Sequence, residues 1–554
     1  MERREKGPIT REKAVWDILA ERDIHTEFPM EMEAAAAQVP EEVEEHALTG
    51  RTDLREALTF TIDGDGSKDF DDAVSWEDNG DGTVTLGVHI ADVGHYVKQG
   101  SPLDEEAFQR GTSVYFADQV APMLPRRLSN GICSLNPGVD RLTLSCIMRV
   151  DERGEVMKYH LCRSVIRSRE RMTYRVCNAL LDGSADGETK ERYAHILPPL
   201  MGLAALDRVL TAARRRRGAL ELVTGERYIL CDGEGKPVEV LQKGAGQSEG
   251  IIESMMLLAN ETVAKHLIAE GLPGVFRIHE PPTEDKLTAL KTILAPLGYE
   301  LRGGDNGSFQ SLLKQSRGTP QEGLVNMLVL RTMMKAGYAP ENEGHFGLGA
   351  EFYCHFTSPI RRYPDLVVNR ILTAHLTGRD SEEERRRLGN FAKGAAVQSS
   401  QREIDAMTAE REIEKRYLAE YMECHVGEDF PATVSGVTAF GLFVALANGV
   451  EGLLPVWALP EDHYVYDEKH LTLTGEHTGT RFSFGMPLGV RCDRADGGLG
   501  QVDFLLLDEE GEPYPLRERR ERRERETHAQ KVIRAKKHRG RYRPPKRKGK
   551  GRGR

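Results

Sequence analysis

The chain has 554 residues, of which 39% are hydrophobic and 29% charged, and its formal net charge is −11. This length suffices for about two to four domains, and the composition is typical of a globular protein. No apolar run approaches the length of a membrane span, and the N-terminus, Met-Glu-Arg-Arg-Glu-Lys, lacks an apolar signal segment. These features exclude an integral membrane protein, argue against export and predict a cytoplasmic location.

The eight cysteines are scattered along the chain without a C-x-x-C pair. Zinc sites and disulfide frameworks depend on cysteines at characteristic spacings, so the sequence predicts neither. We expect reduced thiols that pack in the protein core.

The N-terminal part divides into two kinds of pattern. Residues 1–50 are acidic and helical in pattern, and we interpret them as a lead-in segment without recognisable chemistry. From residue 59 to about residue 97 the pattern has period two, which is typical of strands. The run Asn-Gly-Asp-Gly at residues 79–82 predicts a hairpin turn between strands at residues 73–76 and 83–90.

Five aspartates lie within residues 63–72, and four of them form the candidate cluster: Asp63, Asp69, Asp71 and Asp72. Alternation over residues 57–63 places Asp63 on the polar face at the end of a strand. A bend must follow for all four carboxylates to converge, and Gly64 and Gly66 permit one. Clustered carboxylates repel one another unless hard cations share them, and oxygen-only ligation suits Mg²⁺ or Mn²⁺. The cluster therefore predicts a metal site, of the kind in which paired ions promote phosphodiester hydrolysis.

The aspartate cluster has two alternative interpretations. An EF-hand calcium loop requires glycine at its sixth position and a carboxylate at its twelfth, where this chain has Lys68 and Val74. The calcium loop is therefore rejected. An acidic surface loop without a metal is compatible with the spacing alone.

The remainder of the chain is helical first and then rich in strands. Helices are predicted at residues 248–266, 284–297, 323–335, 365–376 and 382–422. Short alternating strands punctuated by glycine then run from residue 427 to about residue 507. A module of this size, with many short strands and aromatic residues, is typical of a small OB-type barrel.

The C-terminal segment differs in charge from the rest of the chain. Residues 517–554 contain 19 Lys and Arg against 4 Glu, together with Pro544-Pro545 and repeated glycine. Such a segment is expected to be disordered and to bind phosphates irrespective of sequence. A tail that only improves solubility is the alternative.

Several long motifs occur in an order that resembles the ribonuclease II and ribonuclease R family. They are Thr-Ile-Asp-Gly-Asp-Gly-Ser-Lys-Asp-Phe-Asp-Asp at 61–72, Arg-Gly-Thr-Ser-Val-Tyr at 110–115, Leu-Ser-Asn-Gly-Ile-Cys-Ser-Leu-Asn-Pro at 128–137, and His-Phe-Thr-Ser-Pro-Ile-Arg-Arg-Tyr-Pro-Asp at 355–365. The resemblance implies an α+β catalytic domain of the RNB type at residues 51–425 and an all-β, S1-type OB domain at residues 426–510. With the basic tail at residues 517–554, the arrangement is most similar to the ribonuclease R branch.

The resemblance also implies an activity and the residues that carry it. Family members hydrolyse single-stranded RNA from its 3′ end, and in some cases structured RNA with a 3′ overhang, to nucleoside 5′-monophosphates with Mg²⁺. By motif match, Asp63, Asp69 and Asp72 would be metal ligands and Asp71 both a ligand and the carboxylate most critical for chemistry. Arg361 would stabilise charge on the scissile phosphate. We expect a monomer whose partner is RNA.

A non-catalytic RNA-binding regulator on the same fold is the alternative function. The presence of all four aspartates and of Arg361 argues against it. Arg361 could instead be a structural arginine, placed after a helix start that Thr357 or Ser358 caps and that has Pro359 in first position.

Three further residues are predicted to contact RNA. Tyr115 matches an aromatic residue that stacks on a base near the 3′ end, and stacking serves any sequence because every base has a π face. A tyrosine in a strand is otherwise more often a core residue. Glu410 matches an acidic residue that helps to fix the terminal nucleotide, although a solvated helix face is an alternative. Arg362, in the same motif as Arg361, is also expected to bind RNA.

The chain departs from the family pattern in two places. Leu222 stands where the family commonly has phenylalanine, which puts a second aromatic clamp in doubt. Relatives of the ribonuclease R type carry cold-shock OB domains before the catalytic domain, and no such barrel fits into about fifty residues. A truncated or internally started form and loss of the module in this lineage are equally compatible with the sequence.

Overall fold

The computed structural model describes residues 10–514 except 118, 223–225, 244–245, 320 and 469. The predicted basic tail at residues 517–554 lies outside the described residues. The chain divides into two compact units. The first extends to Leu418 and includes Gly497–Gly500, and the second comprises Ala419–Asp496 and continues from Gln501.

The N-terminal segment is helical, as predicted, and packs onto the first unit. It contains α1 (Arg11–Glu21), α2 (Met30–Ala37) and a 3₁₀ turn at Glu45–Leu48. Arg110 holds the linker between the two helices, since its guanidinium donates to the carbonyls of His25 at 2.6 Å and Glu27 at 2.7 Å. Ala36, on α2, is completely buried in the main core.

A seven-stranded sheet forms the centre of the first unit. The strands up to residue 173 are β1 (Thr52–Asp53), β2 (Phe60–Asp63), β3 (Asp72–Asp78), β4 (Val84–Ala91), β5 (Val114–Phe116), β6 (Gln119–Ala121), β7 (Asp140–Val150), β8 (Val156–Arg167) and β9 (Glu170–Thr173). The order in the large sheet is β1-β8-β7-β4-β3-β2-β9, and β5 and β6 form a separate hairpin. The hairpin predicted around residues 79–82 is confirmed as the β3–β4 connection.

Both faces of this sheet are buried. On β7, Leu142, Leu144, Cys146 and Met148 contribute to an apolar face, while Thr143 and Ser145 on the other face are equally inaccessible. The buried hydroxyls bond to one another across the strands: Thr143 to Ser164 at 2.7 Å and Ser145 to Ser164 at 2.6 Å. These three hydroxyls thereby gain partners, as burial requires, whereas the buried hydroxyl of Thr61 on the same face has none among the described residues.

Helices cover the sheet. After α1 and α2 they are α3 (Val93–Tyr96), α4 (Pro102–Arg110), α5 (Tyr174–Asp182), α6 (Gly187–Arg192), α7 (Leu197–Arg217), α8 (Gln247–Ala269), α9 (Glu284–Leu294), α10 (Asn306–Ser316), α11 (Glu322–Thr332), α12 (Tyr363–Leu376) and α13 (Glu382–Glu423). Gly202 lets α7 lie directly on β3, because a Cβ at that position would come within 2.4 Å of the Trp76 ring. The helices predicted from periodicity are all present. Short paired strands, β10 (Glu226–Cys231) with β11 (Pro237–Lys243) and β12 (Phe276–Ile278) with β13 (Gly337–Ala339), connect them.

The second unit is a closed five-stranded barrel, which confirms the OB-type prediction. Its strands are β14 (Asp429–Thr438), β15 (Gly441–Leu446), β16 (Glu451–Pro455), β20 (Pro487–Asp496) and β21 (Gln501–Leu506), and β17 (Tyr464–Asp467), β18 (Thr472–Gly475) and β19 (Arg481–Ser483) form a small sheet within it. Gly441 begins β15 with φ 149°, and a Cβ there would lie 2.4 Å from the Leu454 carbonyl oxygen. Only glycine allows this close approach of β15 to β16.

Most of the cysteines are buried, as the sequence predicted. All eight thiols are free; six are buried as predicted, whereas Cys231 is half-buried and Cys424 exposed. Among the residues that the structure describes, no helix has both the length and the apolar character needed to cross a bilayer.

Candidate active site

The four aspartates lie in and beside the connection from β2 to β3. Asp63 ends β2, which pairs with β9 so that Asp63 is opposite Thr173, and Asp72 begins β3. Between them the chain turns back at Gly64, whose carbonyl accepts from the Ser67 amide at 3.1 Å. The bend that the sequence required is therefore present.

Two contacts outside the loop hold this bend. Arg171, on β9, donates to the carbonyls of Gly64 at 3.0 Å and Asp65 at 2.7 Å. Ser134 accepts from the Phe70 amide at 3.0 Å and donates to the Lys68 carbonyl at 2.8 Å. Phe70, between Asp69 and Asp71 in the sequence, has its ring buried with only 4% exposure. The loop thus presents carboxylates from a fixed backbone.

Asp71 is the most deeply buried of the four carboxylates, with 3% exposure. Its Oδ1 accepts from the Ile360 amide at 2.7 Å, and its Oδ2 lies 3.4 Å from Arg361 Nε. Within the described part of the chain, Asp71 Oδ2 and Asp63 Oδ2 are both inaccessible and have no hydrogen-bond donor. Buried carboxylate oxygens without donors are costly unless a cation neutralises them.

The electrostatics of the cluster show the same need for positive charge. Burial, together with repulsion from Asp72 and Asp69, raises the pKa of Asp63 to about 8. Burial raises the pKa of Asp72 to about 6, although Arg361 and Arg362 oppose the shift. Burial also raises the pKa of Asp71 well above its usual range, against the effect of Arg361. Burial of the carboxylates, with mutual repulsion added at Asp63 and Asp71, therefore outweighs the stabilisation that the arginines provide.

The donor set fits a hard divalent cation, but it does not form a closed cage. Across residues 10–514, apart from the short gaps named above, no three His, Cys, Asp or Glu side chains are grouped closely enough to enclose a metal. Two buried oxygens without donors, on Asp63 and Asp71, are available as ligands. Mg²⁺ retains several waters and is commonly bound by one or two carboxylates plus substrate phosphates, so an open set of oxygens is suitable.

Arg361 and Arg362 are adjacent but differ in their surroundings. The Arg361 side chain is 44% exposed and donates to Ser358 Oγ at 3.0 Å, besides its approach to Asp71. The Arg362 side chain is 21% exposed and donates to the fully buried Asp365 at 2.8 Å. Burial alone would lower the pKa of Arg362, but Asp365 raises it. The structure thus gives Arg362 an internal ion pair, and its contact with RNA stays a prediction.

The helix start considered for this motif is wrong. α12 begins at Tyr363 with Arg362 as its N-cap residue, and Pro364 lies in its first turn. Thr357 and Ser358 are buried upstream of the helix and do not cap it. The segment between them is not helical because the Ile360 amide donates to Asp71 and the Ser358 amide to Asp365.

Tyr115 and Glu410 are both placed beside the aspartates. Tyr115, on β5, is 44% exposed, which contradicts a role as a core residue. Its hydroxyl donates to Asp69 Oδ2 at 3.3 Å, and its backbone amide donates to Glu410 Oε1 at 2.9 Å. Burial raises the pKa of Glu410, a residue of α13. Glu410 is half-buried rather than on a freely solvated helix face.

A cavity of about 870 Å³ opens next to these residues. It is lined by the loop at residues 64–69, by Tyr115 and by two tyrosines that the sequence did not single out, Tyr174 and Tyr228. Tyr228 is 53% exposed on β10, in a strand whose alternation could have indicated an outward-facing ring. Burial and the neighbouring carboxylates of Asp72 and Asp63 raise the pKa of Tyr174. The described residues that line the cavity do not include Leu222.

Comparison with known proteins gives matches over most of the chain. Residues 51–378 match the model of the RNB domain, and residues 423–480 match that of the S1 RNA binding domain. Ribonuclease R 1 of Lactococcus lactis is 45% identical over 500 residues, which cover 90% of this chain and 61% of that protein. Ribonuclease R of Thermotoga maritima is 41% identical over 493 residues, which cover 88% of this chain and 69% of that protein.

Solved structures agree with these matches. Mycoplasma genitalium RNase R in complex with ribose-methylated single-stranded RNA superposes with a TM-score of 0.83 at 28% identity, over 90% of this chain and 78% of that one. The same protein in complex with double-stranded RNA gives a TM-score of 0.79 at 27% identity, over 90% and 83% of the two chains.

The seven-stranded sheet with its aspartate-rich connection, followed by a closed barrel, therefore defines an RNB-domain protein with an S1 domain. The chain belongs to the ribonuclease R family. It spans 61% of the length of the Lactococcus relative and 69% of the Thermotoga relative.

Proposed function

We propose that this protein is a 3′-to-5′ exoribonuclease that hydrolyses single-stranded RNA to nucleoside 5′-monophosphates in the presence of Mg²⁺, with Mn²⁺ as a substitute. The observation that carries this proposal is the buried Asp71, 3.4 Å from Arg361 and adjoined by three further aspartates in a bent loop. Ribonucleases of this family generally depend on divalent metal ions. The catalytic part would be residues 51–425, and the S1-type part residues 426–510.

The aspartates would hold the metal. We propose Asp63, Asp69, Asp71 and Asp72 as its ligands: the donor-free oxygens of Asp63 and Asp71 support the first and third, and the motif match supports Asp69 and Asp72. When bound, Mg²⁺ would supply activation of water and neutralisation of charge on the phosphate. Asp71 would position the attacking water, since its Oδ1 is already fixed by the Ile360 amide.

Arg361 would stabilise the negative charge that develops on the scissile phosphate. Its side chain is half exposed and uses one nitrogen on Ser358, which leaves further donors of its fork free for phosphate oxygens. Arg362 is held by Asp365 and would act beside it, on the RNA backbone or as support for Arg361.

The 3′ end would be recognised by an aromatic and an acidic group. The ring of Tyr115 is exposed at the cavity and offers a stacking surface to any base. Glu410 accepts from the Tyr115 amide and is half-buried, which fixes a carboxylate where the terminal ribose would lie. Because the hydrolysed nucleotide is the one held by these groups, degradation would proceed from the 3′ end.

The relatives support RNA as the substrate. Mycoplasma genitalium RNase R is described in complexes with single-stranded and with double-stranded RNA. We propose that this chain accepts single-stranded 3′ ends and structured RNA with a 3′ overhang, and that it acts as a monomer in the cytoplasm.

A time course with 5′-labelled single-stranded RNA in Mg²⁺ tests the proposal. We expect a ladder that shortens from full length, with no labelled mononucleotide at early times, and no cleavage in EDTA. The same RNA with a 3′-phosphate in place of the 3′-hydroxyl should be degraded more slowly. An endonuclease would cleave the two RNAs at the same rate. RNA binding without any cleavage in Mg²⁺ or Mn²⁺ would instead support a non-catalytic regulator.

A further inference from the structure

The first unit contains a second cavity, of about 650 Å³, away from the aspartates. It lies between α3, the C-terminal half of α12 and the start of α13, and it includes Thr373 and Ala374 of α12. Arg361 precedes the other end of this helix of 14 residues. At 1.5 Å per residue the two ends are roughly 20 Å apart, so this cavity is separate from the candidate active site.

Three cations line this cavity without an ion-pair partner. Lys98 follows α3, Arg163 is on β8, and Arg379 follows α12. Within the part of the chain that the structure describes, no carboxylate lies within 4.0 Å of any of their nitrogens. The cavity therefore has an excess of positive charge.

The other arginines and the carboxylates that line the cavity already have ion-pair partners. Arg370 binds Asp104 at 2.7 Å, and Arg387 binds Glu384 at 2.7 Å. Asp92, the carboxylate with the largest influence on Lys98, is bound at 2.5 Å by the fully buried Arg51. The carboxylates near the three cations are thus already in use.

Arg163 shows most clearly what the cavity lacks. Its Nε is buried and has no hydrogen-bond partner in the described structure. Burial lowers the pKa of Arg163, and the nearby Arg51 and Arg379 lower it further. Burial also lowers the pKa of Lys98, again with Arg163 and Arg379 as neighbours of like charge. A bound anion would relieve both the repulsion and the unsatisfied donor.

We propose that this cavity binds a small phosphate-bearing molecule, either a nucleoside monophosphate or inorganic phosphate, through Lys98, Arg163 and Arg379. Its volume is within the range of sites for small ligands, and guanidinium groups match phosphate oxygens in geometry. The three cations come from three separate elements and line one cavity of limited volume, which favours a compact anion over an RNA strand. The inference does not depend on the proposed nuclease activity.

Calorimetric titration of the full chain with AMP and with inorganic phosphate, in EDTA, tests this site. Without a divalent ion the four aspartates repel phosphate, so binding reports on the basic cavity. We expect Lys98→Gln with Arg379→Gln to weaken binding at least about tenfold, a loss of roughly 1.4 kcal/mol. The matched control combines Lys158→Gln with Lys291→Gln, two exposed lysines outside the cavity, and should bind as the unmodified protein does.

Each outcome decides the question. Tighter binding of AMP than of phosphate would identify a nucleotide site, and equal binding a site for the phosphate group alone; both support the proposal. Equal affinity in the double variant and the control would overturn it. A second result would also overturn the proposal: neither AMP nor phosphate binds, and the double variant binds a 12-nucleotide RNA more weakly. The cations would then contact RNA. Arg163→Lys, which keeps the charge but not the fork, should retain part of the affinity.

Discussion

The two ends of α12 carry opposite and unbalanced charge. Next to its N-terminus, four aspartates outnumber the arginines that face them, and the pKa of Asp63 rises to about 8. Near its C-terminus, Lys98, Arg163 and Arg379 line a cavity whose carboxylates form ion pairs with other arginines. Each end is incomplete without a ligand of the other sign. Charge that a folded chain leaves uncompensated thus points to a ligand of the opposite sign.

The largest expected effect comes from removing one charge at the acidic end. Asp71→Asn retains the size of the side chain but weakens metal binding and the positioning of water, so RNA cleavage should slow by several orders of magnitude while RNA binding persists. Single-turnover cleavage of labelled RNA and filter binding measure the two properties. Asp65→Asn, in the same loop but 60% exposed, is the control and should cleave normally. Normal cleavage by Asp71→Asn would refute the metal site.

A smaller effect is expected at the edge of the acidic end, where RNA would be held. Tyr115→Ala should lose about 1–3 kcal/mol of binding of the terminal nucleotide and lengthen the shortest product. Sequencing gels resolve the final oligomer. Tyr228→Ala removes another exposed ring from the same cavity, but one without a bond to Asp69, and should change the product less. An unchanged ladder in Tyr115→Ala would remove this residue from the RNA site.

The repulsion at the acidic end should also be measurable as a dependence of stability on pH. In metal-free protein Asp63 has a pKa of about 8, whereas the unfolded chain releases this proton near pH 4. Its contribution to stability is full below that lower value and is lost as pH rises through 8. Between pH 7 and 8.5 the melting temperature in EDTA should fall by a few degrees relative to Asp63→Asn, and Mg²⁺ should restore it.

The pH range of 7 to 8.5 is chosen to limit the contribution of histidines to this titration. Histidines interfere little in this range, because unfolded imidazoles are mostly neutral above pH 7 and burial lowers the pKa of folded His89 to about 4. A melting temperature whose pH dependence is the same in the unmodified protein and in Asp63→Asn would contradict the raised pKa.

The smallest expected effect concerns positive charge outside the basic cavity. Residues 527–554 lie outside the described residues, and their 13 Lys and Arg without any acid would attract RNA over a long range. Deletion of this segment should leave cleavage of saturating RNA unchanged and make the plot of log affinity against log salt shallower, by about 0.7 per lost phosphate contact. Equal slopes would move RNA capture to the S1-type domain.

The acidic end could be proposed from the sequence because its residues are contiguous. Asp63, Asp69, Asp71 and Asp72 are visible in one short run, and the need for a bend followed from strand geometry alone. The alternative helix start at Pro359 failed because propensity carries no information about the distant Asp71, whose carboxylate accepts from the Ile360 amide. Tyr228 was missed because the alternation of its strand indicates an outward-facing ring but not that the ring lines the cavity beside the aspartates.

The basic cavity was not predicted at all. Its three cations come from positions 98, 163 and 379, and only the fold brings them together. Each is followed or preceded by ordinary polar residues, so no local pattern distinguishes it from a solvated surface charge. Sites built from separate elements therefore require the structure, whereas sites built on one loop do not.

The buried hydroxyls of the central sheet have one more consequence. They continue through His89, whose Nε2 lies 3.0 Å from Ser75 Oγ and whose Nδ1 lies 2.7 Å from Ser145 Oγ. A neutral imidazole donates at one nitrogen and accepts at the other. The hydroxyl beside the protonated nitrogen therefore accepts, and the hydroxyl beside the other nitrogen must donate to the ring. One proton on His89 thus gives Ser75 on β3 and Ser145 on β7 opposite roles, and moving that proton exchanges them.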